Sequence, residues 1–329
     1  MDFARNIANT PIVGRLAPSP TGYLHLGHAR SFLVAWWHAR SRRGRIVLRL
    51  EDLDIERVKP GMLEATLEDL RWLGLDWDGE PYVQSSGLDA INAAAATLID
   101  HGLAYPCICT RREIQAAMSA PHGEPVDAFY PGTCRGRYSS LAAAEQDSGR
   151  PAALRFVVPN KLVRIEDGVQ GVHEFDASTT IGDFPIQRRR GMPAYQLAVV
   201  VDDARQGVTE IVRGADLLAS CARQWLLQDA LGYDHPRWWH IPLVTDASGR
   251  RLAKRSDDVS LARLRAAGTD PRQVILWVAR SVGLDVSERI HARELVGQFD
   301  MTGLPSSEVR VTLSDLAKLG LPQDFRKPS

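Results

Sequence analysis

The chain has 329 residues, and its 40 Lys and Arg residues equal its 40 Asp and Glu residues, so the formal net charge is zero. Hydrophobic residues make up 44% and charged residues 24%, a balance typical of globular proteins that excludes a disordered or fibrous chain. A neutral total argues against nonspecific binding to polyanions, but it is compatible with a nucleic-acid enzyme that carries a local basic field.

The first part of the chain alternates between strand-like and helix-like segments. An apolar run predicts a strand over Pro11–Leu16, and the turn-forming residues 17–22 separate it from a helix predicted over Leu26–Arg40. A second strand is predicted over Arg45–Leu50, followed by a helix over 60–73. This alternation predicts an α/β fold with a doubly wound parallel sheet.

The middle of the chain has a different character. Residues 106–185 are rich in turn residues, hold three of the four cysteines, and contain short strand-like runs such as Leu154–Val158. We therefore expect an insertion between two halves of the sheet. Strand-like apolar runs return at Ala198–Val201 and His240–Val244, which predicts the second half.

Helical periodicity dominates the last part of the chain, as in Leu261–Ala267 and Val274–Val282. A length of 329 residues fits two or three structural units. The predicted division is the first half of the catalytic domain at 1–105, the insertion at 106–185, the second half at 186–256, and a helical C-terminal region at 257–329.

A His-x-Gly-His motif, His25 to His28, lies where the first predicted strand leads into the first predicted helix. A helix N-terminus binds phosphate because backbone N–H groups and the helix dipole point at the anion. Gly27 allows a nucleotide to approach the backbone, and two histidines can donate hydrogen bonds to charge that develops on a phosphate. Two surface histidines beside a helix cap are the alternative, since short motifs often match by accident.

Two longer segments carry a family resemblance. The run GRLAPSPTGYLHLGHAR at residues 14–30 resembles the signature of glutamyl-specific class I aminoacyl-tRNA synthetases. The run SGRRLAKRS at residues 248–256 resembles the Lys-Met-Ser-Lys-Ser loop of that class, with Arg251, Ala253 and Arg255 as departures from its pattern. The important lysine of that loop is kept as Lys254.

The resemblance implies a Rossmann-type catalytic domain and assigns roles to these motifs. ATP, accompanied by Mg²⁺, would be bound by His25, Gly27, His28 and Lys254, with both histidines and the lysine acting in catalysis. A lysine point charge in such a loop can stabilise the departing pyrophosphate. A solvated basic loop is the alternative for residues 248–256 taken alone.

Acidic residues follow the second predicted strand directly, at the edge of the sheet where ligands bind in such folds. The resemblance assigns Glu51 to the α-amino group of a glutamate substrate and adds Tyr195 and Arg213 to its pocket. A structural ion pair between Glu51 and Arg213 is the alternative. The implied glutamate-binding residues are Arg15, Leu16, Ala17, Pro18, Ser19, Glu51, Tyr195 and Arg213.

Three of the four cysteines, Cys107, Cys109 and Cys134, lie close enough in sequence to suit a tetrahedral zinc ion, which needs a fourth ligand. Three reduced cysteines packed as small apolar residues are the alternative. On spacing alone, the candidates for the fourth ligand are His122, Glu124, Asp127 and Tyr130. The pattern Cys-x-Cys-x20-Tyr-x3-Cys resembles the zinc motif of glutamyl-Q tRNA(Asp) synthetases, which implies Tyr130 as a ligand of one structural Zn²⁺.

The resemblance as a whole implies a ligase that converts glutamate and ATP to glutamyl-adenylate without tRNA. The glutamyl group would then pass to queuosine in the anticodon of tRNA(Asp). Residues 257–329 are too few for a large anticodon-binding domain, so none is expected. The rival functions are a truncated glutamyl-tRNA synthetase that charges tRNA(Glu) and an inactive synthetase-like RNA-binding protein. The first residues show no signal peptide and no apolar run is long enough to span a bilayer, so we expect a cytoplasmic protein that is not bound to membranes. We also expect a monomer.

Overall fold

A computed structural model describes residues 11–118, 129–188, 191–246, 249 and 260–320. The strands are β1 (Val13–Leu16), β2 (Arg45–Leu50), β3 (Tyr82–Val83), β4 (Ala104–Cys107), β5 (Ala153–Phe156), β6 (Leu162–Asp167), β7 (Gly171–Asp176), β8 (Pro185–Gln187), β9 (Glu210–Gly214), β10 (Arg237–Ile241), β11 (Val244–Thr245) and β12 (Val309–Arg310). The α-helices are α1 (Leu26–Ser41), α2 (Met62–Trp72), α3 (Leu88–Asp100), α4 (Arg111–Met118), α5 (Leu141–Ser148), α6 (Tyr195–Arg205), α7 (Leu218–Leu231), α8 (Leu261–Ala266), α9 (Pro271–Ser281) and α10 (Leu313–Lys318). Within the described ranges, no helix has both the length and the apolar composition that crossing a bilayer requires.

Two sets of parallel strands meet at the centre of the molecule. One set has the order β1-β2-β3, and the other contains β9 beside β10. They lie edge to edge because Thr209, just before β9, donates its N–H to the carbonyl of Val13 in β1 at 2.9 Å. The resulting order β3-β2-β1-β9-β10 confirms the doubly wound α/β fold, with its switch point between β1 and β9.

The twofold side-chain period of β1 divides its residues between the two faces of the sheet. Leu16 is fully buried in the core that α1 covers. A Cβ on Gly14 would come within 3.3 Å of the Ala39 side chain in the same helix. Arg15 instead lies on the opposite face, where its Nε is 3.7 Å from Asp203 of α6.

The prediction of a strand over Ala198–Val201 is wrong. These residues form the middle of α6. Every residue from Leu197 to Asp203 is buried. A helix that is covered on all sides shows a continuous apolar run instead of an amphipathic stripe, so its periodicity resembles that of a buried strand.

The predicted insertion contains two kinds of strands. Strands β4, β5 and β8 form a separate antiparallel sheet. The hairpin of β6 and β7 also falls within 106–185, yet β6 pairs in parallel with β10 of the central sheet, with Asp167 opposite Trp238. The end of β6 is therefore part of the central sheet. The limits of the domains stay a prediction.

The C-terminal region packs directly on the central domain. The predicted helices near 261–267 and 274–282 are confirmed as α8 and α9, whereas β12, which pairs with β11, has no counterpart among the predictions. Trp37 in α1 is fully buried and donates its indole N–H to the carbonyl of Ala292 at 2.8 Å. This hydrogen bond connects the C-terminal region to α1, the helix that begins within the His-x-Gly-His motif.

Candidate active site and metal centre

A cavity of about 420 Å³ opens at the switch point between β1 and β9, where doubly wound sheets bind their ligands. Its volume lies within the range of about 300–1,000 Å³ that is usual for small-molecule sites. The walls come from the ends of β1, β2 and β9 and from the first residues of α1 and α6. Of the predicted site residues, the cavity is lined by Arg15, Ala17, Pro18, Ser19, His25, Gly27, His28, Glu51, Tyr195 and Arg213.

Among the described residues predicted to bind ATP or glutamate, Leu16 does not line the cavity. The side chain of Leu16 is fully buried in the core beneath α1, because neighbouring strand residues point to opposite faces. Lys254 lies outside the described residues. Val244, before that segment, lines the cavity, and Ser260, after it, forms a β-bridge with His25.

The two histidines of the motif hold each other in place at the start of α1. His25 is the N-cap residue, and its Nδ1 accepts the Gly27 N–H at 3.1 Å. The Nδ1 of His28 accepts the His25 N–H at 3.2 Å, and the two rings lie 3.8 Å apart. Because both Nδ1 atoms accept, each neutral ring carries its hydrogen on Nε2. The two rings therefore carry their Nε2–H groups beside the N-terminus of α1.

Gly27 leaves room for the capping ring of His25. A Cβ there would lie 3.0 Å from the nearest carbon of the His25 ring and 3.1 Å from Nδ1. With a larger residue at this position, the ring would have to shift by a few tenths of an ångström. The glycine thus preserves both the cap and the open approach to the helix N-terminus.

A buried network of charges surrounds Glu51. Arg49, in β2, lies within 3.2 Å of the Glu51 carboxylate and 2.8 Å of the Asp203 carboxylate. The Glu51 N–H donates to the carbonyl of Pro18 at 2.9 Å, which ties the loop after β1 to the end of β2. Burial raises the pKa of Glu51, although the positive charges of Arg49 and Arg15 oppose this effect.

The two arginines of the cavity are held by partners on different elements. Arg15 donates from Nη1 to the carbonyl of Val212 at 3.0 Å, and burial lowers the pKa of its guanidinium. Arg213 donates from Nε to the Nε2 of His240 at 2.9 Å. The cavity wall thus carries two positive side chains, Arg15 and Arg213, and two negative ones, Glu51 and Asp216, with Glu51 paired to Arg49.

Several residues that support the site were not identified from the sequence. Arg49, which pairs with Glu51, also pairs with Asp203. His240, which is hydrogen-bonded to Asp167, accepts a hydrogen bond from Arg213. Asp216, just after β9, also lines the cavity. Arg49 lies near the end of β2, two residues before Glu51, and this period-two spacing is the local signal that could have indicated its role.

The three cysteines of the insertion converge on one point. The sulfur atoms of Cys107, Cys109 and Cys134 all lie within 4.8 Å of one another. The phenol oxygen of Tyr130 is 3.4 Å from the sulfurs of both Cys107 and Cys109. Within the ranges that the structure describes, this is the group of His, Cys and acidic residues that could hold a metal ion.

The spacing of these donors fits a tetrahedral metal. Sulfurs bound at about 2.3 Å around a tetrahedral ion stand roughly 3.8 Å apart, and Cys109 and Cys134 are 3.5 Å apart. Arg155 adds a positive charge: its Nε donates to the Cys107 sulfur at 3.2 Å, and its guanidinium lies 3.9 Å from the Tyr130 ring centre. A cation beside several anionic ligands is a typical outer-shell arrangement.

The family described as tRNA synthetases class I (E and Q), catalytic domain, matches residues 11–317. The chain belongs to this family. It is accordingly a ligase of the class I aminoacyl-tRNA synthetase type, as the sequence resemblance implied.

Curated relatives share most of their length with this synthetase. A protein named glutamyl-Q tRNA(Asp) synthetase from Symbiobacterium thermophilum is 43% identical over 318 residues, which cover 94% of this chain and 98% of the relative. One of the same name from Nocardia farcinica is 47% identical over 292 residues, 89% of this chain and 90% of the relative. The glutamate-tRNA synthetase of Elizabethkingia anophelis superposes with a TM-score of 0.80 at 26% identity, covering 94% of this chain and 70% of that one.

Proposed function

We propose that this synthetase activates glutamate with ATP, without RNA, and transfers the glutamyl group to queuosine in the anticodon of tRNA(Asp). The observation that carries the activation step is the charge pattern of the cavity at the switch point. Arg15 and Arg213 match the two carboxylates of glutamate, and Glu51 matches its ammonium group. Tyr195 and the loop of Ala17, Pro18 and Ser19 complete the proposed glutamate pocket.

In the proposed activation step, an α-carboxylate oxygen of glutamate bonds to the α-phosphorus of ATP as the bond to pyrophosphate breaks. His25 and His28 donate from Nε2 to phosphate oxygens, which gain negative charge in the transition state. Gly27 leaves the backbone open to the nucleotide, and Lys254 is proposed to stabilise pyrophosphate. Mg²⁺, which accompanies ATP, supplies additional positive charge to the same oxygens.

The proposed independence from RNA is supported by the origin of the pocket. The described residues proposed to bind glutamate come from β1, β9 and α6 and from the loops after β1 and β2, so protein groups alone form this part of the pocket. The proposed acceptor is supported by the relatives named glutamyl-Q tRNA(Asp) synthetase, which this chain matches over 90–98% of their length. An unstacked base of an anticodon loop can be splayed out and bound in a protein cavity.

We further propose that Cys107, Cys109, Tyr130 and Cys134 hold one Zn²⁺ ion. Four protein ligands leave no open position for a substrate, so this zinc would be structural. Three of the four ligand side chains are buried, within a small cluster apart from the main core. The ion would hold β4 and the chain around residue 130 together.

An ATP–pyrophosphate exchange assay tests the activation step. Glutamate should support exchange in the absence of RNA, while glutamine, which lacks the second negative charge, should not. Loss of exchange with every amino acid would favour the inactive RNA-binding alternative.

Transfer is tested with labelled glutamate and three RNAs: tRNA(Asp) with queuosine, tRNA(Asp) without it, and tRNA(Glu). Only the first should be labelled, and the label should map to the anticodon. Labelling of the tRNA(Glu) 3′ end, or equal labelling of both tRNA(Asp) forms, would replace this proposal with a truncated glutamyl-tRNA synthetase.

A further inference from the structure

A buried line of hydrogen bonds connects the end of β6 to the cavity. The Nδ1 of His240 lies 2.6 Å from Oδ2 of Asp167, and the Nε2 of His240 lies 2.9 Å from Nε of Arg213. All three side chains are at most 6% exposed. Asp167 and His240 do not line the cavity, so they act on it through Arg213.

The chemistry of the arginine decides where the histidine carries its hydrogen. The Nε of Arg213 is always an N–H donor, so the Nε2 of His240 must accept. The hydrogen of the neutral ring is then on Nδ1, which donates to Asp167. Burial lowers the pKa of His240 and outweighs the opposing hydrogen bond to Asp167, and the positive charge of Arg213 lowers it further, in agreement with a neutral ring.

The carboxylate of Asp167 is itself fixed by backbone donors. Its Oδ1 accepts the N–H of Val169 at 3.0 Å and that of Gln170 at 2.8 Å, and its Oδ2 accepts the N–H of His240 at 3.1 Å. These bonds leave Oδ2 facing the ring. The tautomer of His240 is therefore set by a rigid acceptor rather than by a mobile side chain.

The line of bonds leaves one side of Arg213 for a ligand. Its Nε donates to His240, and its Nη2 donates to the carbonyl of Leu217 at 3.3 Å and to the sulfur of Cys221 at 3.4 Å. The guanidinium carbon lies 4.8 Å from the ring centre of Trp238. Among the described residues, the buried Nη1 has no hydrogen-bond partner, and Arg213 lines the cavity.

We propose that His240, held by Asp167, is a positioning residue that orients Arg213 so that Nη1 meets a carboxylate of the amino-acid substrate. This inference rests on the proposed function, because it takes Arg213 to bind glutamate. His240 touches neither substrate nor ATP in this scheme. Its loss should therefore weaken glutamate binding while the chemical step remains.

The first test compares His240→Leu with His240→Gln in ATP–pyrophosphate exchange. Leucine removes the acceptor, and we expect the KM for glutamate to rise about tenfold or more, the range for a lost hydrogen bond to a charged group. Glutamine can place its amide oxygen near the former Nε2 and should recover most of this loss. The KM for ATP should stay near the wild-type value in both variants.

His235→Leu is the control for the loss of a hydrogen-bonded histidine. His235 is exposed and hydrogen-bonded to Gln228, and it lies outside the cavity. Its KM for glutamate should equal that of the wild type. An equal KM for glutamate in His240→Leu and His235→Leu would overturn the positioning role.

Asp167→Asn tests the tautomer. Asparagine keeps an oxygen for the backbone donors but turns an NH₂ group toward the ring, so Nδ1 must accept and Nε2 must carry the hydrogen. Nε2–H then faces the Arg213 N–H, and the KM for glutamate should rise as in His240→Leu. Nitrogen NMR of labelled histidine should show the Nδ1–H form in the wild type and the Nε2–H form in the variant.

The wild-type spectrum tests the proposal even if the variants fail to fold. An Nε2–H or doubly protonated His240 would contradict the proposed positioning role. The exchange assay separates this inference from the proposed function. Wild-type protein that does not exchange with glutamate contradicts the function itself. Wild-type exchange with an unchanged KM in folded His240→Leu contradicts only the positioning role.

Discussion

The cysteine cluster allows a sharp prediction about metal dependence. We expect Cys134→Ser to lose its zinc and to loosen the chain around residues 130–137. Cys221→Ser is the matched control, because Cys221 is equally buried but lies in α7, outside the cluster. The control should keep one zinc ion per chain.

The structure indicates how much of the local stability depends on the metal. Besides the proposed ligands, the cluster contains two further buried side chains, Tyr105 and Ile114. At about 1.5–3 kcal/mol each, their burial contributes about 3–6 kcal/mol. A structural zinc ion contributes about 10–16 kcal/mol in small zinc-binding peptides at neutral pH. The metal is therefore the larger contribution, and its loss should unfold this segment locally rather than merely soften it.

Hydrogen exchange measured residue by residue reports the effect. The amides of Arg135 and Arg137, which donate to the carbonyls of Gly132 and Cys134 at 2.8 and 3.1 Å, should lose protection in Cys134→Ser. Amides of β2, in the central sheet, should keep theirs. Less than about a tenth of an equivalent of zinc in folded, active wild-type protein would refute the reasoning, as would full zinc content in Cys134→Ser.

Three further predictions concern catalysis and pH. His28→Ala should reduce the kcat of pyrophosphate exchange by about 10²–10³ through loss of one Nε2–H donor, and a wild-type rate would contradict this role. Arg213→Ala should lose activation and transfer together, since no adenylate forms; a variant that still transfers glutamate from ATP would exclude the assignment. Burial raises the pKa of Asp69, which pairs with Arg265, to about 6. A carboxyl whose pKa rises on folding contributes stability that is lost as pH rises, here from about 4 to about 6. Relative to Asp69→Asn, the wild type should lose roughly 3 kcal/mol of unfolding free energy over this window, and denaturation curves with the same pH dependence in both proteins would contradict it.

The sequence by itself identified the parts of the site whose residues are neighbours along the chain. Residues 14–30 contain the strand, the turn and the start of the helix, so one local run brings Arg15, His25 and His28 to one edge of the sheet. The cysteine spacing likewise predicted a cluster that the structure brings within 4.8 Å. Both succeed because short-range backbone geometry limits where such residues can lie.

Other features of the site and fold depend on contacts between distant segments. The apolar run at Ala198–Val201 is compatible with a buried strand or a buried helix, and only the packing around α6 distinguishes them. Arg15 and Leu16 point to opposite faces of the sheet. Their different surroundings arise only because α1 packs on one face and α6 on the other.

The support of Arg213 was decided by tertiary structure alone. Asp167 and His240 are 73 residues apart and fall in different predicted domains, so no local pattern joins them. They meet because β6 pairs beside β10, and a buried charge must find its partners among whatever side chains the sheet brings close. The sequence thus determined which chemistry the chain carries, while strand pairing determined which groups hold that chemistry in position.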